Sequence, residues 1–345
     1  MKAIVNTAAG RLEMLDWPMP RPRREQVLIR AGACGICATD LAMIAGWERT
    51  GFPAIAGHEW AGVIAEVGEG VDAALIGRRC VGENVWSTGG EVGFEHPGGY
   101  AEYFVTEAAK IQVLPDGFPL ATASLIEPLA VVVRGRRRLG NLSTGRESLP
   151  PTATLGQVIP SGPLVILGDG PIGLLMLMLL EREPDCQREG ITVVGGRECR
   201  LALAAELGAE RTLNYHQLEG DLASAIHRET RERYHIIVEA TGSGRAMEAA
   251  LELVRPGGRI LVLGDYGRAR AAFCWGDLLH REIVLIGSNA SAGAWPEAVR
   301  LAVTEGVPLN RLISHRIPVA RFAEAIALAR SGDAGTVKVV LEWGD

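Results

Sequence analysis

Apolar and polar positions change rhythm once along this chain of 345 residues. From Met1 to about Leu114 the apolar runs are short, as in Gln26-Val27-Leu28-Ile29, Gly62-Val63-Ile64-Ala65 and Tyr100-Ala101-Glu102-Tyr103-Phe104-Val105. Each is bounded by glycine, proline or charge, the mark of strands joined by tight turns, and together they predict a compact, barrel-like β-rich domain. Beyond Ser161 the runs Leu164–Leu167, Ile191–Val194, His235–Val238, Arg259–Val262 and Ile283–Ile286 alternate with helix-length segments. Strands alternating with helices predict a doubly wound parallel sheet of the Rossmann type in an α/β chain. From Trp295 a helix, a strand and another helix lead to Val337-Lys338-Val339-Val340-Leu341, a last strand whose natural partner lies in the first domain.

The predicted organisation is a first domain over 1–139, completed by about 290–345, and a dinucleotide-binding domain over 163–289. Between them, 140–162 is rich in Ser, Thr, Gly and Pro and reads as a linker or surface insertion. The apolar stretch Ile172–Leu180 is far short of the ~20 residues that span a membrane and reads as a buried helix. Met1-Lys2-Ala3-Ile4-Val5 enters a strand pattern directly, without the basic, apolar and cleavable series of a secretory leader, so cytoplasmic residence is expected.

Composition narrows the function classes. Hydrophobic residues at 48% and charged residues at 22% describe a folded protein. A net charge of −6 argues against a nucleic-acid or anionic-membrane partner, and the cluster Arg134, Arg136, Arg137 and Arg138 reads as a solvated helix end, with a phosphate contact as the alternative. Six cysteines at 34, 37, 80, 186, 199 and 274 suit free thiols and a metal ligand better than a disulfide framework.

Gly168-Asp169-Gly170-Pro171-Ile172-Gly173 follows an apolar run and opens a helix, the context that makes a glycine motif a dinucleotide-binding turn. Gly168 permits the turn, Gly170 lets the backbone approach a pyrophosphate, and Gly173 lets helix and sheet pack closely, while the helix N-terminus offers N–H groups to the phosphates. An acid at the end of the second strand would accept the adenosine ribose hydroxyls. Here Val194 is followed by Gly195, Gly196 and Arg197, and glycine with a nearby guanidinium favours NADP over NAD. Glu198 is the competing feature, since a shift of one residue would bring its carboxylate to the ribose.

In the first domain, Gly35-Ile36-Cys37-Ala38-Thr39-Asp40 precedes Gly57-His58-Glu59-Trp60-Ala61-Gly62, and Ile126-Glu127-Pro128-Leu129-Ala130 comes much later. Thiolate, imidazole and carboxylate make up a catalytic zinc site with one position left open. With the glycine turn, these segments resemble the zinc-containing medium-chain dehydrogenase/reductase family of the alcohol dehydrogenase superfamily, its sorbitol and threonine dehydrogenase-like branch in particular. The resemblance covers nearly the whole chain. It implies a GroES-like catalytic domain beside the Rossmann domain, Cys37 and His58 as zinc ligands, Glu127 as the third ligand and Glu59 standing behind the ligands or alternating with them. It further implies that Thr39 relays the substrate proton and that loops near Gly242, Gly264 and Ser288-Asn289 help fix the nicotinamide.

The substrate implied is a small polar secondary alcohol or its ketone, of polyol, sugar or amino-alcohol type, and a homodimer or homotetramer is expected. The chain departs from the pattern in two places. Between Val81 and Gly99 it has no cysteines, so one catalytic zinc and no structural zinc is expected, and Ala42 stands where other members carry a proton-passing histidine. Cys34 reads as a buried small residue and Asp40 as a residue that fixes a ligand, while Trp47, Trp86, Phe94 and His96 are candidates for lining a substrate cleft or for packing. Two alternatives remain at this stage: a zinc-free quinone or enone reductase on the same fold, and a nucleotide-binding sensor without turnover.

Overall fold

The computed structural model describes all residues except 48, 50, 142–161, 184–189, 266, 268, 334 and 345. The expected linker therefore lies almost wholly outside the described residues, as does Cys186. Strands follow in chain order as β1 (Lys2–Ala8), β2 (Arg11–Asp16), β3 (Gln26–Gly35), β4 (Glu59–Val67), β5 (Arg79–Gly82), β6 (Tyr103–Glu107), β7 (Ile111–Val113), β8 (Leu164–Leu167), β9 (Ile191–Gly195), β10 (Arg211–Asn214), β11 (Tyr234–Glu239), β12 (Val254–Val262), β13 (Val284–Gly287), β14 (Ile313–Pro318) and β15 (Lys338–Glu342). The helices are α1 (Ala38–Ile44), α2 (Leu120–Ala123), α3 (Ile126–Asn141), α4 (Pro171–Leu180), α5 (Glu198–Glu206), α6 (Leu222–Thr230), α7 (Gly244–Leu253), α8 (Trp275–His280), α9 (Trp295–Val303) and α10 (Phe322–Ser331).

Two compact units result. One comprises Met1–Pro128 with Trp295–Asp345, and the other Leu129–Ala294. In the first, seven strands form a sheet in the order β14-β15-β3-β4-β5-β7, with β6 also paired to β3. The last strand, β15, pairs antiparallel with β3, Val340 opposite Gly35, so residues separated by most of the chain become neighbours. The core of this unit gathers Ile4, Val27, Ile29, Ile64, Phe104 and Leu341, with Trp60 only 1% exposed. Trp60 meets Phe104 edge-on, ring centroids 5.0 Å apart, and its indole N–H donates to Asn84 Oδ1 at 2.9 Å. A buried indole needs that acceptor, because an unpaired buried donor is costly.

The second unit is a six-stranded parallel sheet in the order β10-β9-β8-β11-β12-β13. Its order reverses between β8 and β11, which is where open parallel sheets bind ligands, beyond the carboxyl ends of the strands. β8 and β9 are buried along their whole length, which explains why they read as continuous apolar runs rather than alternating ones. β10 escaped the sequence reading, being four half-buried residues at one edge of the sheet with no apolar run to announce them. α4 starts with Pro171 at its first turn and buries Gly173 through Leu180, the buried helix expected there, and no helix among the described residues is long and apolar enough to cross a membrane.

The arginine cluster on α3 is not the solvated helix end that the sequence suggested. Arg136 is 4% exposed and paired with Glu183, while Arg134 and Arg137 donate to the carbonyls of Ala292 and Gly293 at 2.8 and 2.7 Å. Only Arg138 is exposed. Arg134 and Arg137 thus close backbone acceptors within the second unit.

Trp60→Ala would remove a large side chain from the first unit and leave Asn84 without its donor. Unfolding in urea followed by circular dichroism is expected to show a loss of about 3–5 kcal/mol; a change within measurement error would mean that this core does not depend on Trp60.

Candidate zinc and dinucleotide sites

Cys37 caps the N-terminus of α1, and Asp40 completes a reciprocal capping box with it. Asp40 is fully buried and does more than cap. Its Oδ2 accepts from the Cys37 N–H at 2.8 Å, and its Oδ1 accepts from the Gly57 N–H at 3.3 Å and lies 3.1 Å from His58 Nδ1. The imidazole is thereby turned so that Nε2 is the nitrogen left for a ligand, as metal-binding histidines commonly are. Burial is the strongest influence on His58 and opposes its charge, but the charge and hydrogen bond of Asp40, with help from Cys37, prevail and hold its pKa well above the ordinary histidine value. Asn84 adds a further restraint by donating to the His58 carbonyl at 2.9 Å.

Ligand atoms of Cys37, His58 and Glu59 lie within 4.8 Å of one another. Glu59 opens β4 and is 1% exposed. A side chain on Gly35 of the neighbouring strand would place its Cβ 2.2 Å from Glu59 Oε2, so the glycine makes room for the carboxylate. Lys338 at the start of β15 balances it: Nζ donates to Glu59 Oε1 at 2.6 Å and to the Ile36 carbonyl at 3.2 Å. Oε2 lies 2.5 Å from the same ammonium without the alignment of a hydrogen bond. A cysteine sulfur, an imidazole Nε2 and a buried carboxylate oxygen lacking a hydrogen-bond donor form a donor set that fits zinc.

Glu127, in the first turn of α3, is not in that group of three. It nevertheless feels the same charges. Removal from water is the chief cause that pushes its pKa up to about 7; His58 and Lys338 pull it down, and Glu59 and Asp40 push it further up. Thr39 Oγ1 stands 3.7 Å from Cys37 Sγ. Cys34 is fully buried, with its thiol pushed well up, first by burial and then by Asp40 and Glu59. Lys338 and Asn84 were missed by the sequence reading. The available signal for Lys338 was a cation opening an otherwise apolar terminal strand.

Of the four aromatic candidates, Phe94 lies nearest the group, its ring 5.0 Å from that of His58. Trp47 meets Phe94 edge-on at 6.4 Å, and Trp86 stacks on His96 at 4.2 Å. The cysteine-free lobe from 81 to 99 is held by Arg49, which bonds Glu91 at 2.7 Å and Glu95 at 2.9 Å and sits 4.5 Å above the Phe94 ring.

In the second unit, Gly168, Asp169 and Gly170 line a cavity of about 580 Å³ together with Gly195, Gly196 and Arg197. A Cβ on Gly173 would fall 2.0 Å from the Gly168 carbonyl oxygen, so the close approach of α4 to the turn depends on this glycine. Pro171 and Ile172 form the first turn of α4 and do not line the cavity. Gly242, Gly264, Ser288 and Asn289 sit beyond the ends of β11, β12 and β13 and also stand outside its lining, although Thr241 and Ser243 belong to it. Glu198 is committed elsewhere, accepting from Asn214 and from Gln217 Nε2 at 2.8 Å.

A β-rich unit bearing a thiolate, imidazole and carboxylate group, joined to a unit with a doubly wound parallel sheet and a glycine turn, defines the class of zinc-binding dehydrogenases. Residues 23–116 match the alcohol dehydrogenase GroES-like domain, and 171–304 match the zinc-binding dehydrogenase family. D-altritol 5-dehydrogenase of Agrobacterium fabrum is 29% identical over 98% of each chain. L-threonine 3-dehydrogenase of Anaeromyxobacter sp. is also 29% identical, over the full length of both. The crystal structure of galactitol-1-phosphate dehydrogenase from Escherichia coli superposes with a TM-score of 0.81 at 25% identity, covering 99% of this chain and all of that one. The chain belongs to the zinc-containing medium-chain dehydrogenase/reductase family, with its GroES-like and Rossmann domains, and is an NAD(P)-dependent oxidoreductase of the alcohol dehydrogenase type.

Removing Lys338 would strand a buried carboxylate without its counter-charge. Lys338→Met is expected to lower stability by about 3–5 kcal/mol, and adding Glu59→Gln to recover most of that loss, read from urea unfolding of the metal-free protein. Equal stability of Lys338→Met and wild type would show that the pair is not coupled.

Proposed function

We propose that the enzyme moves hydride between NADP(H) or NAD(H) and a polar secondary alcohol or its ketone, of the polyol, sugar-alcohol or amino-alcohol kind. The single observation that carries the reading is the convergence of Cys37, His58 and Glu59 within 4.8 Å in a chain that also bears the glycine turn. Relatives named for D-altritol and L-threonine support the polar substrate class. The first unit would be the catalytic domain and the second the dinucleotide-binding domain.

In this reading Cys37 and His58 hold the ion with Glu127, and Glu59 alternates with it. Bound zinc would supply Lewis-acid polarisation of the substrate oxygen. The protein's own residues do the rest. Asp40 fixes the His58 tautomer, Lys338 balances Glu59 when that carboxylate is not needed, and the Thr39 hydroxyl hands on the substrate proton, since Ala42 offers no group for it. One zinc per chain is proposed, because the 81–99 lobe is held by Arg49 ion pairs and aromatic stacking rather than by cysteines.

NADP is the proposed preference. Gly195 supports it by carrying no acid, and Arg197 and Arg200 bring guanidiniums to the same cavity. Reaction in the cytoplasm fits the five described cysteines, all free thiols. Metal analysis of the purified protein should give one zinc per chain, and a panel of polyols, sugar alcohols and amino alcohols should give turnover with a lower KM for NADP than for NAD. Cys37→Ser should lose the zinc and at least about 100-fold in kcat/KM. Full activity without zinc would overturn the reading in favour of a zinc-free reductase.

Assembly into a dimer or tetramer is proposed as well. Among the described residues β13 is an edge strand of its sheet, and Leu285 on it is 39% exposed, while Trp275 and Leu279 on α8 are 70% and 71% exposed. Exposed apolar groups beside an open edge strand invite a partner. Sedimentation should show a dimer or larger species that Trp275→Glu shifts toward monomer; a wild-type monomer at micromolar concentration would rule the assembly out.

A further inference from the structure

Gly195 stands at the end of β9, where an acidic side chain would choose between a ribose 2′-hydroxyl and a 2′-phosphate. The space such a side chain would fill is occupied. A Cβ built on Gly195 would fall 2.4 Å from Asp169 Cβ and 2.5 Å from both its Cγ and its Oδ2. Asp169 reaches that place from the glycine turn that follows β8. Its Oδ2 accepts from the N–H groups of Gly196 at 2.9 Å and Arg197 at 2.8 Å, and its Oδ1 lies 4.0 Å from Arg200 Nη1.

Successive backbone N–H groups beside a guanidinium make an anion site, and here the protein's own carboxylate fills it. Arg200 is 9% exposed. Burial first, and then repulsion from Arg197, lower its pKa, while the charge of Asp169 acts the other way. Asp169, Gly195, Gly196, Arg197 and Arg200 line the same cavity, together with Tyr215 and His216. Glu198, the other carboxylate in this stretch, is held by Asn214 and Gln217 and does not line it.

We propose that Asp169 is the cofactor-selecting carboxylate of this enzyme, supplied by the glycine turn instead of the strand end, where it favours a ribose 2′-hydroxyl and competes with a 2′-phosphate. The inference rests on the nicotinamide-dinucleotide reading above and limits its NADP arm: a 2′-phosphate is accepted only so far as Arg197 and Arg200 outweigh Asp169. A phosphate would need the two N–H groups that Asp169 now holds, and its charge would meet that of the carboxylate.

The test compares Asp169→Asn, Asp169→Ala and wild type. Asparagine keeps an acceptor for the two N–H groups without the charge, and alanine removes both. Binding of 2′,5′-ADP and 5′-ADP is measured by calorimetry, and kcat/KM is measured with NADP and NAD. Asp169→Asn should raise the NADP to NAD ratio of kcat/KM by about tenfold and tighten 2′,5′-ADP relative to 5′-ADP by a similar factor, with Asp169→Ala moving both in the same direction. If Asp169 only braces the turn, Asp169→Asn will match wild type and Asp169→Ala will weaken both nucleotides equally, which overturns the proposal. Wild-type protein that binds neither nucleotide overturns the dinucleotide reading and this inference with it. A wild-type preference for NAD would overturn the NADP assignment alone and agree with the role given to Asp169.

Discussion

The first unit's site hangs on one buried carboxylate. Asp40 joins the backbone of Cys37, the backbone of Gly57 and the ring of His58, tying a helix N-terminus to the approach of a strand. Such a group is tolerable inside a protein only when its oxygens are satisfied, and here each satisfying partner is also something the site has to position. Thiol placement, ring orientation and helix start are therefore a single arrangement. Lys338 and Glu59 repeat the pattern within the same site, a buried charge pair whose geometry follows from the pairing of β15 with β3.

The second unit uses the same arrangement, a carboxylate held by two backbone N–H groups. Its backbone N–H groups at Gly196 and Arg197 are donors in need of an anion, and Asp169 provides one from the neighbouring turn. Preorganisation is the common principle: polar groups held in place before a ligand arrives do not have to be reoriented when it does. A site can thus be well formed and still selective, because the internal partner must be matched or displaced.

Much of this was legible in the sequence because it is local. The buried strands of the parallel sheet announce themselves as apolar runs, and Gly168 to Gly173 acquires meaning from the strand before it and the helix after it. Cys37 and His58 stand in short segments whose residues remain neighbours in the fold. What was hidden depends on contacts made across the chain. Lys338 is 279 residues from Glu59, Asn84 serves the His58 carbonyl and the Trp60 indole from a distant segment, and Asp169 draws no role of its own from its place between glycines. The Arg134–Arg138 cluster misled for the same reason, since charge along a helix says nothing about the carbonyls of residues 292 and 293 that await it.

The pairing of Lys338 with Glu59 sets an order of events during synthesis. Chains emerge N-terminal end first, so Cys37, His58 and Glu59 are all made long before the ammonium that balances the cluster. Until β15 docks beside β3, Glu59 has no internal reason to be buried, and the half-made site has every reason to stay hydrated. Neutralisation of this centre therefore waits on the strand that carries Lys338, made 279 residues after Glu59.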